Sequence, residues 1–347
     1  MADLRCDAVA KHFHEHRVLT DIDLTVPHGT LTAVLGASGS GKTTLLRLIM
    51  GFAHADSGRI LLGGDVVSDA SGVHVKPEAR AIGYVAQEGA LFPHLSVGEN
   101  VGFGLPRSER RSSHRITEVL QLVGMGASEH RHPHEISGGE QRRVALARAL
   151  APHPKMVLLD EPFSGLDAGL RVETREAVLA ALTEEETTSL LVTHDQGEAM
   201  SLGREVAVLR HGCLAQTATP DVLYHAPVDV VVARFVGDAV VLPGNRTAGA
   251  VECVLGTLRV TGHGDDGAVL VMIRPEQIGM LRRGVGSDAL VTGCTYFGPN
   301  TMVKLTLDHE EATYLLSARA FSHEAPRVGE RVHLVVSGSV ITYPAEV

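Results

Sequence analysis

The stretch Gly36–Thr43, "GASGSGKT", decides how the rest of the chain reads. It matches the pattern G-x-x-x-x-G-K-[ST]. Before it, residues 1–35 alternate polar and apolar positions and end in "TLTAVLG" (30–36), which predicts strands leading into a tight Gly-rich turn. After it, "KTTLLRLIMGF" (42–52) is apolar at helical spacing. Strand, Gly-rich turn and helix form the context that a phosphate-binding loop needs. The glycines let the backbone curl so that successive N–H groups converge on an anion, and the helix turns its positive end the same way. The candidate nucleotide-binding residues are therefore Gly36, Ala37, Ser38, Gly39, Ser40, Gly41, Lys42, Thr43 and Thr44. Lys42 is expected to reach the outer phosphates and the Thr43 hydroxyl to hold Mg²⁺.

"KMVLLDEP" (155–162) supplies the second half of such a site. Its apolar residues bury a short strand and bring Asp160 to the C-terminal end, where a carboxylate can coordinate Mg²⁺ through water. Glu161 follows directly and can orient or deprotonate an attacking water. "SLLVTHD" (189–195) reads as another buried strand. Apolar strands alternating with helices predict an α/β fold with a mainly parallel sheet covered on both faces. Residues 90–154 read as helices and loops, with "SSHRITEVLQLVGM" (112–125) and "GGEQRRVALARALA" (138–151) the clearest helices. Between Phe235 and Asn245 helical periodicity fades. "GTLRVTG" (256–262), "AVLVMIRPE" (268–276), "DALVTGCTYFG" (288–298), "TMVKLTLD" (301–308) and "RVHLVVSGSVITYP" (331–344) read as short strands, predicting a small β-barrel-like C-terminal domain.

The length of 347 residues suggests two domains. A net charge of −10, 4% aromatic residues and no Trp argue against general nucleic-acid binding, which needs basic patches and stacking side chains. The densest basic run, "RSERRSSHR" (107–115), reads as a solvated loop or helix start. Cys6, Cys213, Cys253 and Cys294 form no close pair in sequence, so no zinc ribbon or redox pair is expected, and a reducing cytosol fits. The first residues lack an apolar core of the kind a signal peptide carries. Runs such as "AVLVMI" (268–273) fall far below the roughly 20 residues that span a bilayer, so a task at a membrane requires another chain to cross it. "HFHEH" (12–16) and "HRHPHE" (130–135) have the look of metal sites, but neither spaces its ligands on one helix face, and both read as loops.

The segment "ISGGEQRRVALARAL" (136–150) resembles the signature motif of ATP-binding cassette (ABC) proteins, commonly LSGGQ. The order of motifs is also that family's: the phosphate loop from Gly36, Gln87, the signature from Ser137, the acidic pair from Asp160, "SGLD" (164–167) and "THD" (193–195). The resemblance spans about residues 4–235. It implies a P-loop NTPase domain of ABC type with a helical subdomain at about 90–154, working as a homodimer that sandwiches ATP and Mg²⁺. It further implies that Gln87 senses Mg²⁺ and water and links them to the membrane partner. Ser137, Gly138 and Gly139 would grip the γ-phosphate on the opposite subunit; Asp167 would cross the dimer interface; His194 would contact the γ-phosphate; Phe13 would stack on adenine, with core packing as its alternative. Glu140 departs from the common Gln. A carboxylate near phosphates is unfavourable unless it points at ribose hydroxyls.

Two further stretches carry resemblance. "ALFPHLSVGENVGFGL" (90–105) is similar to the groove that receives a helix of the membrane subunit, with Leu91, Phe92, Leu95 and Phe103 as an apolar socket and internal packing as the alternative. "VMIRPEQIGM" (271–280) resembles the OB/TOBE-like accessory domain of importer ATPases, on Arg274, Pro275 and Glu276. The expected division is an ATPase domain at 1–237 and an all-β domain at 238–347. The expected function is an importer ATPase at the cytoplasmic face of the inner membrane, bound to permease chains and indirectly to an external solute-binding protein. "QEGALFPHLSVGENVGFGLP" (87–106), "TYFGPNT" (295–301) and the preceding residues 63–89 look most like ferric-iron ATPases, with polyamine, sugar and sulfate importers as alternatives. A soluble cassette acting on ribosome or DNA, an exporter and a non-hydrolysing regulatory module are the rival readings. Glu161 and His194 speak against the last.

Overall fold

The computed structural model describes residues 4–110, 114–262, 264–310 and 312–345. They form two compact units, one ending at Leu223 and one beginning at Tyr224.

The first unit is built on a six-stranded sheet. Its spatial order is Cys213–Ala218, Glu205–Arg210, Leu31–Leu35, Ser189–Thr193, Met156–Asp160, Ile82–Val85. All neighbours run parallel except the outer hairpin 205–210/213–218. Leu31–Leu35 and Ser189–Thr193 are buried at every position, which is why they read as continuous apolar runs rather than alternating ones. Register aligns Leu35 with Thr193 and Asp160 with Val192, so three strands deliver their C-terminal ends to one edge. That edge carries the site.

A second sheet, four-stranded and antiparallel, has the order His16–Val26, Leu4–Phe13, Ser57–Leu62, Asp65–Asp69. The strands expected in residues 1–35 thus split between two sheets, because a hairpin start pairs with itself while Leu31–Leu35 joins the parallel layer. One core unites them: Leu4, Ile22 and Ile60 pack with Leu45 and Ile49 of helix Lys42–Met50 and with Leu158 and Leu190. Between residues 90 and 154 lie helices Val97–Gly102, His114–Leu122 and Gly138–Leu150. The helix expected over 112–125 ends early, where Gly124 turns left-handed at φ 70°; its first two residues, Ser112 and Ser113, lie outside the described residues. Among the described residues no helix is long and apolar enough to cross a membrane.

The second unit holds two five-stranded antiparallel sheets. One runs Gly256–Arg259, Ala250–Cys253, Val240–Thr247, Gly267–Ile273, Ile341–Pro344, and the other Ile278–Leu281, Arg331–Val336, Ser287–Phe297, Asn300–His309, Ala312–Phe321. Val251, Val271, Val303, Leu305 and Leu334 share one core. Helix Val230–Val236 belongs to this unit and sets Ala233 against Met272 and Tyr343. Arg274 fastens it: the buried guanidinium donates to the carbonyls of Tyr224 (2.7 Å), Ala233 (2.9 Å) and Asp238 (2.9 Å). Its cation lies 4.0 Å from the Tyr224 ring centre, and Tyr224 Oη donates to Glu276 at 2.7 Å. The strand expected over 268–276 stops at Ile273, because Pro275 opens a 3₁₀ turn.

Candidate functional site

The Gly-rich loop closes tightly. Gly41 has φ 109°, and a Cβ there would meet Leu19 Cδ2 at 2.7 Å and the Val18 carbonyl at 2.9 Å. A Cβ on Gly36 would meet Ser40 Oγ at 2.5 Å and the Leu209 carbonyl at 2.7 Å. Only glycine fits either place. Helix Lys42–Met50 then starts with no side-chain cap, so its first N–H groups are left for an anion. Lys42 folds back onto its own loop, donating to the carbonyls of Gly36 (2.8 Å) and Ala37 (2.9 Å). Burial lowers its pKa, while Glu161 and Asp160 act in the opposite sense. Ser40 Oγ is buried with no hydrogen-bond partner among the described residues.

Asp160 ends its strand and accepts a hydrogen bond from Tyr84 Oη at 3.1 Å. Burial, with Glu161 alongside, pushes the Asp160 carboxyl up despite that bond. Glu161 adopts φ 45°, a left-handed backbone uncommon outside glycine. Its N–H donates to the Val192 carbonyl at 2.9 Å, and its Oε2 lies 3.0 Å from His194 Nδ1. The resulting cleft of about 800 Å³ is lined by Ala37, Ser38, Gly39, Gly41, Lys42, Thr43 and Thr44, with Gln87, Glu161 and His194 facing them. Thr43 also borders a second cleft of about 490 Å³, together with Phe13, Arg47, Tyr84 and Asp160. Phe13 is 45% exposed, with Lys11 Nζ 5.4 Å from its ring centre. An exposed ring is free to stack.

Ser137, Gly138, Gly139, Glu140 and Asp167 line neither cleft. They start helices instead. Ser137 caps Gly138–Leu150, its Oγ accepting from the Glu140 N–H at 3.3 Å. The Glu140 carboxylate returns to accept from the Ser137 N–H at 2.7 Å, completing a reciprocal cap that holds its pKa low. Asp167 caps Ala168–Glu184 by accepting from Gly169 (3.1 Å) and Leu170 (3.0 Å).

Sequence reading missed Tyr84 and Glu198. Glu198 is buried and accepts from Thr193 Oγ1 at 2.6 Å, while Thr193 Oγ1 accepts from the Asp195 N–H at 3.0 Å. These bonds bracket His194 on both sides. The Asp-x-x-Glu spacing from Asp195 was the available signal, since Asp195 caps the Glu198 N–H at 2.9 Å. Tyr84 left no signal, because its contact joins strands distant in sequence.

In the segment 90–105, Phe92 and Phe103 pack at 4.4 Å between ring centres, and Phe103 is 44% exposed. Leu91, Phe92 and Leu95 are half-buried. Buried Asn100 ties this loop down by bonding both the N–H and the carbonyl of Phe92. Of the basic run, residues 111–113 lie outside the described residues; Arg110 lies over the Phe103 ring and Arg115 pairs with Glu185. His12 meets Asp56 at 3.3 Å, and His132 stacks on His134. Among the described residues, no group of three or more His, Cys, Asp or Glu is placed to hold a metal ion. All four cysteines are free, and burial pushes the Cys6 thiol up to about 12.

Phosphate loop, Glu161 and a histidine around one cleft, with Asp160 on the second cleft that Thr43 also borders, define a site built for the phosphates of a nucleotide. Residues 19–164 match the ABC transporter family model, and residues 271–340 match the TOBE domain. The Fe(3+) ions import ATP-binding protein FbpC 3 of Rhodococcus jostii (strain RHA1) is 46% identical over 343 residues, covering 98% of each chain. The Fe(3+) ions import ATP-binding protein FbpC of Serratia marcescens is 44% identical over 341 residues, covering 97% of this chain and 98% of its own. Among solved structures, cbiO1 of Clostridium perfringens, part of an ABC transporter complex, aligns with TM-score 0.57 at 29% identity over 63% of this chain and 88% of its own. A dimeric ATP-binding cassette in a post-hydrolysis state, bound to ADP and Pi, aligns with TM-score 0.53 at 27% identity over 62% of this chain and 98% of its own. The chain belongs to the ATP-binding proteins of the ABC transporter family.

Proposed function

We propose that this chain is the ATP-hydrolysing subunit of a ferric-iron importer, acting as a homodimer beneath separate permease chains. The observation that carries the ATPase reading is the Glu161–His194 pair, 3.0 Å apart, facing Lys42 and the phosphate loop in one cleft. The full-length likeness to Fe(3+) import ATP-binding proteins supports ferric iron over polyamine, sugar or sulfate as cargo. The TOBE match favours an importer over a soluble cassette acting on ribosome or DNA, and no nucleic-acid partner is proposed.

Each residue has a task in the reaction. The phosphates of ATP settle on the N–H groups of residues 38–44, with the buried Ser40 Oγ as a further polar group within the loop. Lys42 exchanges its bonds to the Gly36 and Ala37 carbonyls for bonds to the outer phosphates. Glu161 Oε accepts a proton from, or orients, the water attacking the γ-phosphate in line. His194 holds Nδ1 3.0 Å from Glu161 Oε2, and its other nitrogen, Nε2, meets the γ-phosphate as an N–H donor. Phe13 stacks on adenine. Thr43, Gln87 and Asp160 supply oxygen donors at the loop, and burial with Glu161 alongside raises the Asp160 pKa, a charge penalty that Mg²⁺ would offset. Mg²⁺ held there would neutralise charge building on the phosphate oxygens.

Ser137, Gly138, Gly139, Glu140 and Asp167 complete the site of the second subunit in this reading. Gln87 and the Phe92–Phe103 surface meet the permease at the cytoplasmic face of the inner membrane, and an external solute-binding protein delivers the cargo. The nucleotide-handling domain is assigned to 1–237 and the accessory domain to 238–347, with residues 224–237 packing on the latter. The test is uptake of labelled ferric ion by cells lacking this gene and any redundant importer, beside labelled putrescine and maltose. Loss of ferric uptake alone is expected; normal ferric uptake with loss of another cargo overturns the choice.

A further inference from the structure

The signature helix Gly138–Leu150 reaches the Gln87 segment through its own arginines. Arg148 Nη1 donates to the Ala90 carbonyl at 2.9 Å, and Nη2 lies 3.4 Å from the Gly89 carbonyl. The same guanidinium lies over the Phe92 ring, 5.6 Å from its centre. Earlier on the helix, Arg142 donates to the Ser164 carbonyl and lies 3.5 Å from that of Gln87. Ala90 holds φ 43°, a conformation that costs a non-glycine residue free energy and persists only where neighbours impose it. A planar fork satisfies two adjacent carbonyls and an aromatic face at once, which a lysine ammonium does not. Arg148 lines neither cleft.

We propose that Arg148 is a positioning residue that locks the loop from Gln87 to Phe92 onto the signature helix. A displacement of Phe92 and Phe103 by a docked partner is then carried along the helix to Ser137, at its opposite end. This inference rests on the roles assigned above to Gln87 and Ser137.

The test is a double-mutant cycle on the full-length protein, with R148K, Q87A and the pair. R148K is expected to lower kcat roughly tenfold while KM for ATP stays within about twofold, since the phosphate loop is untouched. In the Q87A background, R148K is expected to have no further effect on kcat, because coupled residues are not additive. Amide exchange at Gly89, Ala90 and Leu91 should quicken in R148K. A kcat for R148K equal to wild type overturns the proposal, as does a pair whose two losses multiply. If R148K does not fold, R148Q is read in the same way. Failure of both to fold makes Arg148 a merely structural residue and overturns the coupling. A wild-type protein without ATP hydrolysis would sink the functional reading itself; wild-type turnover with additive losses sinks only this inference.

Discussion

Replacing Glu161 by Gln separates chemistry from folding. The side chain's main partner is His194, 3.0 Å away, and the pair is 18% and 59% exposed. An ion pair so open to water contributes about 1 kcal/mol at most, and a glutamine oxygen can still accept from His194 Nδ1. The left-handed φ of 45° is set by the backbone bond to Val192 and by the following turn, not by the carboxylate. Stability should therefore fall by less than about 1 kcal/mol, a Tm change of a few degrees. The chemistry is different. A general base contributes about 10²–10⁴ in rate, so kcat should drop by that factor, about 3–5 kcal/mol of barrier. Glu161 also helps to raise the Asp160 pKa, so removing its charge eases Asp160 toward the ionised form. E161Q should bind ATP at least as well as wild type and accumulate as an ATP-bound dimer. Phosphate release gives the turnover, and light scattering with and without ATP gives the mass. Turnover within about threefold of wild type would refute the assignment, since no lost base leaves so little trace.

Three further outcomes are expected. Arg80 is fully buried and donates to the carbonyls of Leu48 (2.8 Å), Ile49 (2.6 Å), Val67 (3.1 Å) and Val75 (2.8 Å), with burial pulling its pKa down to about 10. R80A strands these carbonyls at the far end of the phosphate-loop helix and should cost about 3–5 kcal/mol in a urea melt; a loss below about 1 kcal/mol counts against it. Arg115 bonds Glu185 through both nitrogens at 2.8 and 2.6 Å and holds its carboxyl below the usual 4.5. The pair therefore stabilises fully above that value and loses its contribution as pH falls through the lower folded-state pKa. E185Q should be about 2–4 kcal/mol less stable than wild type at pH 7, and the gap should close in acid; a gap constant down to about pH 3 contradicts the pairing. K42A should lose most ATP affinity while keeping the wild-type Tm within a few degrees, because among the described residues Lys42 bonds only its own loop; isothermal titration with unchanged affinity would count against the loop's role.

What sequence could reveal here was what depends on neighbours in the chain. The loop from Gly36 to Thr43 needs glycine where a Cβ would strike Ser40 or Leu19, so its spacing is visible in one dimension. The same is true of strands buried on both faces, whose apolar runs stand out at 31–35, 156–160 and 189–193. Contacts that join distant elements left no such mark. Tyr84 meets Asp160 only because two strands pair in parallel, and Arg148 meets Ala90 only because a helix packs over a loop. Helix Val230–Val236 went unread because its signal, "DVVVARFV", is short and lacks a polar face; Val and Ile runs of that length suit strand as well as helix. The parting of residues 1–35 into two sheets is likewise a matter of pairing, which alternation alone does not specify.

The carboxylate at residue 140 can be understood from the cap it makes. At the third position of the helix, Glu accepts the Ser137 N–H while Ser137 Oγ takes the Glu140 N–H, so two groups at the helix start are satisfied by each other. That leaves the N–H groups of Gly138 and Gly139 as the open donors of this end. A Cβ added at Gly138 would find no atom nearer than 3.8 Å, so its surroundings are open to an approaching anion. Glu140 adds a negative charge at the same end; its pKa is held low chiefly by the Ser137 N–H bond, with Arg143 and Arg131 acting in the same sense. A phosphate arriving at Gly138 and Gly139 would meet a helix start whose carboxylate is turned back onto the backbone. The usual amide could make the same cap through its oxygen, so Glu here keeps the geometry of the motif. What it changes is the local charge, and with it the salt dependence of any association in which that helix end meets ATP.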